Sequence, residues 1–194
     1  MKSFAIRSTT PRSIAFVLAL LMVLFSLPAA HAQSANVTVD INLINPPPTC
    51  NFTVQGNLNF GTAEKPGTGN GSVTISQING NRTSSNTTVS GSSSVGQVRL
   101  AGSNVASYTV TRTFPSSLTR SGGGSLTFSG TWAQSASQSS GYSNISGSSY
   151  NGTAGGVGTS FTRYFRYGGT AGGINLSDPN GNYDNNISVS GSCS

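Results

Sequence analysis

Charge is scarce in this chain. Asp, Glu, Lys and Arg together make up 7% of the 194 residues, and Glu64 is the only glutamate. One histidine is present, His31, and it falls in a leader segment described below. Without it, a Ser-His-Asp or Cys-His centre lacks its base and a zinc site lacks imidazole. Asp40, Asp178 and Asp184 are scattered, so a two-carboxylate hydrolase would need them to converge. This poverty of acid–base groups argues against an enzyme and against any cofactor. The basic residues are dispersed too, whereas phosphate binding wants a dense patch, so a nucleic-acid partner is not expected. Apolar runs are equally short. The longest is broken by Ser26 and spans Ile14 to Leu27, below the roughly 20 residues that cross a bilayer.

That run reads as part of an export signal. Lys2, Arg7 and Arg12 precede it, and Ala30-His31-Ala32 forms a small-x-small cleavage site before Gln33. Residues 1–32 are therefore expected to be removed by the Sec route. The product would reach the periplasm, cell surface or extracellular space with no membrane insertion of its own. What remains carries Lys65 and six arginines against Asp40, Glu64, Asp178 and Asp184, a net of +3. Solubility then rests on Ser, Thr, Asn and Gly.

Both cysteines, Cys50 and Cys193, lie in the mature part. An even count in an exported chain predicts one disulfide, joining the start of the domain to its end. Nine Asn-x-Ser/Thr triplets occur, a number expected by chance in a chain so rich in these residues.

Nothing reads as helix. Short β-patterns alternate with turns such as Asn79-Gly80, Ser121-Gly122-Gly123-Gly124 and Asn180-Gly181. Strands are predicted at 52–54, 58–60, 72–76, 87–90, 95–100, 108–113, 125–128, 160–167, 174–176 and 187–189. This spacing predicts an all-β chain folded as a β-sandwich over 50–194. A Ser/Gly-rich stretch at about 134–158 reads as a poorly ordered insertion.

Residues 33–45 stand apart. Val37, Val39, Ile41 and Leu43 alternate with Asn36, Thr38, Asp40 and Asn42, the pattern of a strand with one buried face. Pro46, Pro47 and Pro48 then form, with Thr49, a linker of four residues, 46–49, to the domain. Such a strand needs a groove, in its own domain or in a neighbouring copy.

Two further runs bear on function. Asp178-Pro-Asn-Gly-Asn-Tyr-Asp184 spaces oxygen side chains as calcium loops do. Its glycine and its twelfth position, Val189, fit that motif poorly, so a turn is expected and no metal. Phe161-Thr-Arg-Tyr-Phe-Arg-Tyr167 is the densest aromatic and basic run. It predicts a core strand holding Phe161 and Phe165. The alternative is a ligand or partner face built from Arg163, Tyr164, Arg166 and Tyr167, with Trp132 as a sugar platform.

The chain resembles the bacterial exported family "domain of unknown function 4402". The residues that carry the resemblance are Asn57-Leu-Asn-Phe-Gly-Thr62, Gly71-Ser-Val-Thr-Ile75, Asn79-Gly-Asn-Arg82, Val98-Arg-Leu-Ala-Gly102, Tyr108-Thr-Val-Thr-Arg112, Leu126-Thr-Phe128, Gly168-Gly-Thr170 and Gly181-Asn-Tyr183. Residues 37–61 also look like the start of spore-coat-U-like and archaic chaperone–usher pilus subunits. That second resemblance implies an immunoglobulin-like (pilin-like) β-sandwich and a non-enzymatic fibre or fimbrial subunit that polymerises by donor-strand complementation. Its partners would be copies of itself or related subunits, with a periplasmic chaperone and usher. The competing expectation is a self-complemented, adhesin-like binding module.

Overall fold

The structure is a computed structural model and describes residues 41–194. Val37 and Val39 of the N-terminal segment, and the whole leader, lie outside the described residues. The chain divides after Leu43, and Ile44–Ser194 forms the compact unit.

Every regular element among the described residues is a strand, as the alternating pattern predicts. In chain order they are β1 (Thr49–Gly56), β2 (Thr62–Ala63), β3 (Gly71–Ile75), β4 (Arg82–Ser85), β5 (Val89–Ser90) and β6 (Gly96–Thr113). Then follow β7 (Ser117–Thr119), β8 (Ser125–Ser135), β9 (Ser143–Asn144), β10 (Ser149–Ile174) and β11 (Ser188–Cys193). β2 pairs with β5, and all other strands join one antiparallel network in the order β1-β6-β10-β3-β4. In that network β11 adds to β6, β8 to β10, and β7 and β9 to β8.

Two long strands make this network a sandwich. β6 carries β1 on its first half and β11 on its second half. β10 pairs with β6 over its first two-thirds and with β3 and β8 over its end. The β6–β10 register slips twice, between Thr153, Gly156 and Ser160. Opposite the slip, Asn104 adopts φ 58°, and its Oδ1 accepts a hydrogen bond from the Gly158 amide at 2.9 Å. Bulges of this kind bend both strands and turn a sheet's corner. The bend brings β1 and β11 towards each other: a Cβ built on Gly191 of β11 would sit 2.7 Å from the Phe52 ring of β1.

The core lies between the layers. Leu100, Val105, Tyr108, Val110, Trp132 and Phe165 are buried in one cluster, and Val73, Leu126 and Ile174 in a second. Trp132 stacks on Phe165 and on Tyr167, at centroid distances of 5.9 and 6.3 Å.

The disulfide between Cys50 and Cys193 is present, with Cα atoms 6.2 Å apart. It ties the first residues of β1 to the last of β11. The stretch expected to be a poorly ordered insertion is different: residues 149–158 are the opening of β10, and Tyr142 is buried. Arg166 lies over the Tyr142 ring at 4.0 Å, and the Gln138 carbonyl accepts from Gln97 Nε2, Tyr142 Oη and Arg166 Nη2. Ser and Gly dominate there, so no apolar period advertised the pairing.

Candidate functional site

An open groove of about 950 Å³ runs along one side of the compact unit. Its rims are the two strands that the bend brings together. β1 contributes Val54 and Gly56, and β11 with its lead-in contributes Val189 and Ile187. Each of these strands is hydrogen-bonded to β6 alone, so each has one unpaired edge among the described residues. Val54 is 68% exposed although it sits mid-strand with an aliphatic side chain. The floor is apolar: it takes Val98 from the first core cluster, Val73, Leu126 and Ile174 from the second, and the buried Phe128. The loop 178–186 closes the groove's remaining wall with polar residues.

Local sequence explains one wall closely. Leu58 and Phe60 line the groove, and Phe60 meets Phe128 edge-on at 6.2 Å. Gly61 follows at φ 82°, a conformation that excludes most side chains, and a Cβ there would collide with the Arg82 guanidinium. Arg82 Nη1 donates to the carbonyls of Phe60, Ser90 and Gly91, each at 3.1 Å. One arginine thus pins the Leu-x-Phe-Gly turn against β5. At the far side, Gly168 lets β10 lie against the backbone of Ile75–Gln77, where a Cβ would clash.

Tyr167 closes the floor. It is 2% exposed, and its hydroxyl is buried without a hydrogen-bond partner. Burial raises its pKa from the ordinary tyrosine value, and the nearby Arg112 only partly offsets this. Burial likewise raises Tyr142 and Tyr108. A raised folded-state pKa means that the native state holds protons the unfolded chain would release. The associated stability is complete below about pH 10 and is lost as pH rises beyond it. Tyr167→Phe should therefore soften the alkaline loss of stability. At neutral pH it should be neutral or stabilising, because an unpaired buried hydroxyl costs about 1–3 kcal/mol. Urea midpoints at pH 7 and pH 11 check both halves of this expectation.

The other sequence-predicted residues fall as follows. Ile41 and Leu43 lie in non-strand backbone, 78% and 83% exposed. The proposed aromatic face is taken apart. Trp132 is 1% exposed and donates Nε1 to the Gly147 carbonyl at 2.9 Å, so it is a core residue and not a sugar platform. Tyr167 is buried as well. Arg163 Nε donates to Tyr108 Oη at 3.1 Å, and Arg166 is spent on Tyr142 and the Ile78 carbonyl. Tyr164 lies on the opposite strand face from Arg163, Phe165 and Tyr167, because neighbours in a strand alternate. Phe161 and Phe165 both pack in the core cluster, as the core-strand reading expects. In the 178–184 turn, Asp178 Oδ2 accepts from the Asn175 amide at 2.8 Å, and Asp184 bridges Thr119 through its backbone. Sequence reasoning missed the groove rims. The usable signals were Ile187 and Val189 in a strand following a polar loop, and Arg82 near Leu58-Asn-Phe60-Gly61.

The fold and the groove define an all-β sandwich with two unpaired edges flanking an apolar trough. The model of the family described as "Domain of unknown function (DUF4402)" matches residues 51–190, and the chain belongs to that family. No curated protein and no solved structure matches it.

Proposed function

We propose that this protein is a non-enzymatic structural subunit of a bacterial surface fibre, assembled by donor-strand complementation. The observation that carries the reading is the groove between the unpaired edges of β1 and β11. An apolar trough with backbone donors and acceptors along both rims suits an added strand, with main-chain bonds giving strength and alternate side chains filling pockets. Residues 36–44 of another copy have the required alternation. Burying Val37, Val39, Ile41 and Leu43 at about 1.5–3 kcal/mol each contributes a gross 6–12 kcal/mol before ordering costs.

The linker favours a neighbour over the same chain. Asn45–Thr49 holds three consecutive prolines, and a polyproline segment extends by about 3.1 Å per residue without reversing. Residues 44–48 are exposed and outside any strand. A strand donated from one copy to the next is a head-to-tail contact, which builds filaments instead of closed rings. The resemblance of 37–61 to pilus subunits supports the same reading, and a periplasmic chaperone would cover the groove before assembly. An export signal at residues 1–32 agrees with it.

Comparing the mature chain with and without residues 33–45 tests this. The complete form should give a ladder of multimers on unboiled gels that boiling collapses, and the truncated form should give none. A complete form that remains monomeric throughout would instead favour a self-complemented binding module.

A further inference from the structure

Four Asn-Gly dipeptides occur in the chain: Asn70-Gly71, Asn79-Gly80, Asn151-Gly152 and Asn180-Gly181. Asparagine is a chemically labile side chain. Its amide carbon can be attacked by the backbone nitrogen of the next residue, and a glycine there puts no Cβ in the way. The attack needs a side chain free to turn, a glycine nitrogen that is not engaged, and a backbone free to leave its ladder or turn.

Folding withholds these conditions from three of the four. Asn79 Oδ1 accepts from the Asn81 amide at 3.0 Å, and the Gly80 amide donates to the Ser76 carbonyl at 2.9 Å. Asn151 and Gly152 lie inside β10, in register with Thr109 and Tyr108, and Asn151 Oδ1 accepts from Thr109 Oγ1 at 2.8 Å. Gly71 is buried at the start of β3 opposite Ile174, and a Cβ on it would lie 2.9 Å from the Thr87 side chain. Asn180-Gly181 differs from all three. Both residues are exposed and outside any strand. Among the described residues, no hydrogen bond engages the Asn180 side chain or the Gly181 amide. The loop is instead held on either side of the pair. Asp178 Oδ2 accepts from the Asn175 amide, and Tyr183 Oη donates to the Pro179 carbonyl at 2.8 Å. Arg120 packs against the glycine: a Cβ on Gly181 would lie 3.6 Å from Arg120 Nη1.

We infer that Asn180 is a site of spontaneous deamidation, which turns one wall of the groove more acidic as the protein ages. The Gly181 nitrogen gives up its proton and bonds to Asn180 Cγ. The side-chain nitrogen leaves with that proton as ammonia, and a five-membered imide remains. Water then opens the imide. Cleavage at Cγ leaves an aspartate, and cleavage at the backbone carbonyl leaves an isoaspartate with the chain running through Cγ. Nothing is oxidised or reduced. The Arg120 cation favours both the ionised nitrogen that attacks and the carboxylate that results. Asn180 and Gly181 line the groove beside Asp178 and Asp184, so the new carboxylate joins two already there. The isoaspartyl form also lengthens the backbone of that wall by one methylene. None of this depends on what fills the groove.

The test is to age the purified mature protein, disulfide intact, at physiological temperature and mildly alkaline pH. Peptide mapping by mass spectrometry then distinguishes asparaginyl, aspartyl and isoaspartyl forms at each of the four positions. Asn180 should convert about tenfold faster than Asn70, Asn79 and Asn151, or more, because those three react only after local opening. In urea all four should convert at similar rates, since each then has the same flexible Asn-Gly context. Asn180→Gln, an exposed change that leaves the fold near its original stability, should abolish the acidic form that accumulates on isoelectric focusing. Melting curves verify that stability. Conversion of the folded protein first at another of the four overturns the inference. So does an unconverted Asn180 once the unfolded chain has reacted, or an acidic form that accumulates equally in Asn180→Gln.

Discussion

Replacing both Cys50 and Cys193 by serine should lower the unfolding free energy by about 4–5 kcal/mol, the chain-entropy value for so long a closed loop. The two residues are 143 apart in sequence, and their Cα atoms are 6.2 Å apart in the fold. The bond closes nearly the whole domain into one loop. Net stabilities of domains are about 5–15 kcal/mol, so the double variant would stand close to unfolding at physiological temperature. The effect has a local side too. Each partner strand is held by a single ladder to β6. Freed at the disulfide, β1 and β11 lose the tie that fixes the groove's rims to each other. Urea denaturation of the double serine variant measures the first effect. A change below about 1 kcal/mol would show that the strand ladders alone hold the termini.

Ile41→Asp with Leu43→Asp should abolish assembly and leave the melting temperature at that of the unassembled wild-type domain. Both side chains lie outside any strand and are exposed, where substitutions change stability by about 0.5 kcal/mol or less. Seated in an apolar groove, each would remove about 1.5–3 kcal/mol of burial. Each would also bring a carboxylate onto an apolar floor where Lys65 is the single cation of the lining, a desolvation cost of several kcal/mol. Multimer formation at micromolar protein should therefore fall below detection. Multimers that persist in the variant would mean that another surface joins the subunits.

The β character of the chain was legible because alternation survives even in a polar sequence. Val73, Ile75, Val98, Leu100, Tyr108 and Val110 all fall at the strand positions that their pattern assigns, and all are buried. The joining of strands was not legible. Residues 95–100 and 108–113 read as two strands, but they are halves of β6. Between them Asn104 takes a left-handed conformation opposite the bulges of β10, so a segment that reads as a turn continues the ladder in space. The same holds for 149–158, where Gly, Ser and Thr carry β10 without an apolar face to betray it. The strand β4 at 82–85 is Arg-Thr-Ser-Ser and has no hydrophobic signal either.

The alternating run of residues 37–43 was legible in the sequence, and the groove was not. The run from Val37 to Leu43 is a local pattern, readable by period. The rims are assembled from residues more than a hundred positions apart, Val54 and Val189 among them. Only the bend in β6 and β10 brings them together, and bends of that type leave no apolar period. The aromatic run at 161–167 drew attention as a binding face because Arg and Tyr mark interfaces. Here those groups serve the interior: Tyr167 and Phe165 fill the core, and Arg166 clamps Tyr142.

The most direct test is titration of a synthetic peptide of residues 33–45 into the chain truncated to 46–194, followed by methyl NMR. The account predicts saturable shifts at Val54, Val98, Ile187 and Val189, no shift from a peptide carrying aspartate at 41 and 43, and a higher melting temperature in the bound form. A folded truncated chain whose groove methyls do not respond to the peptide at any concentration would contradict it.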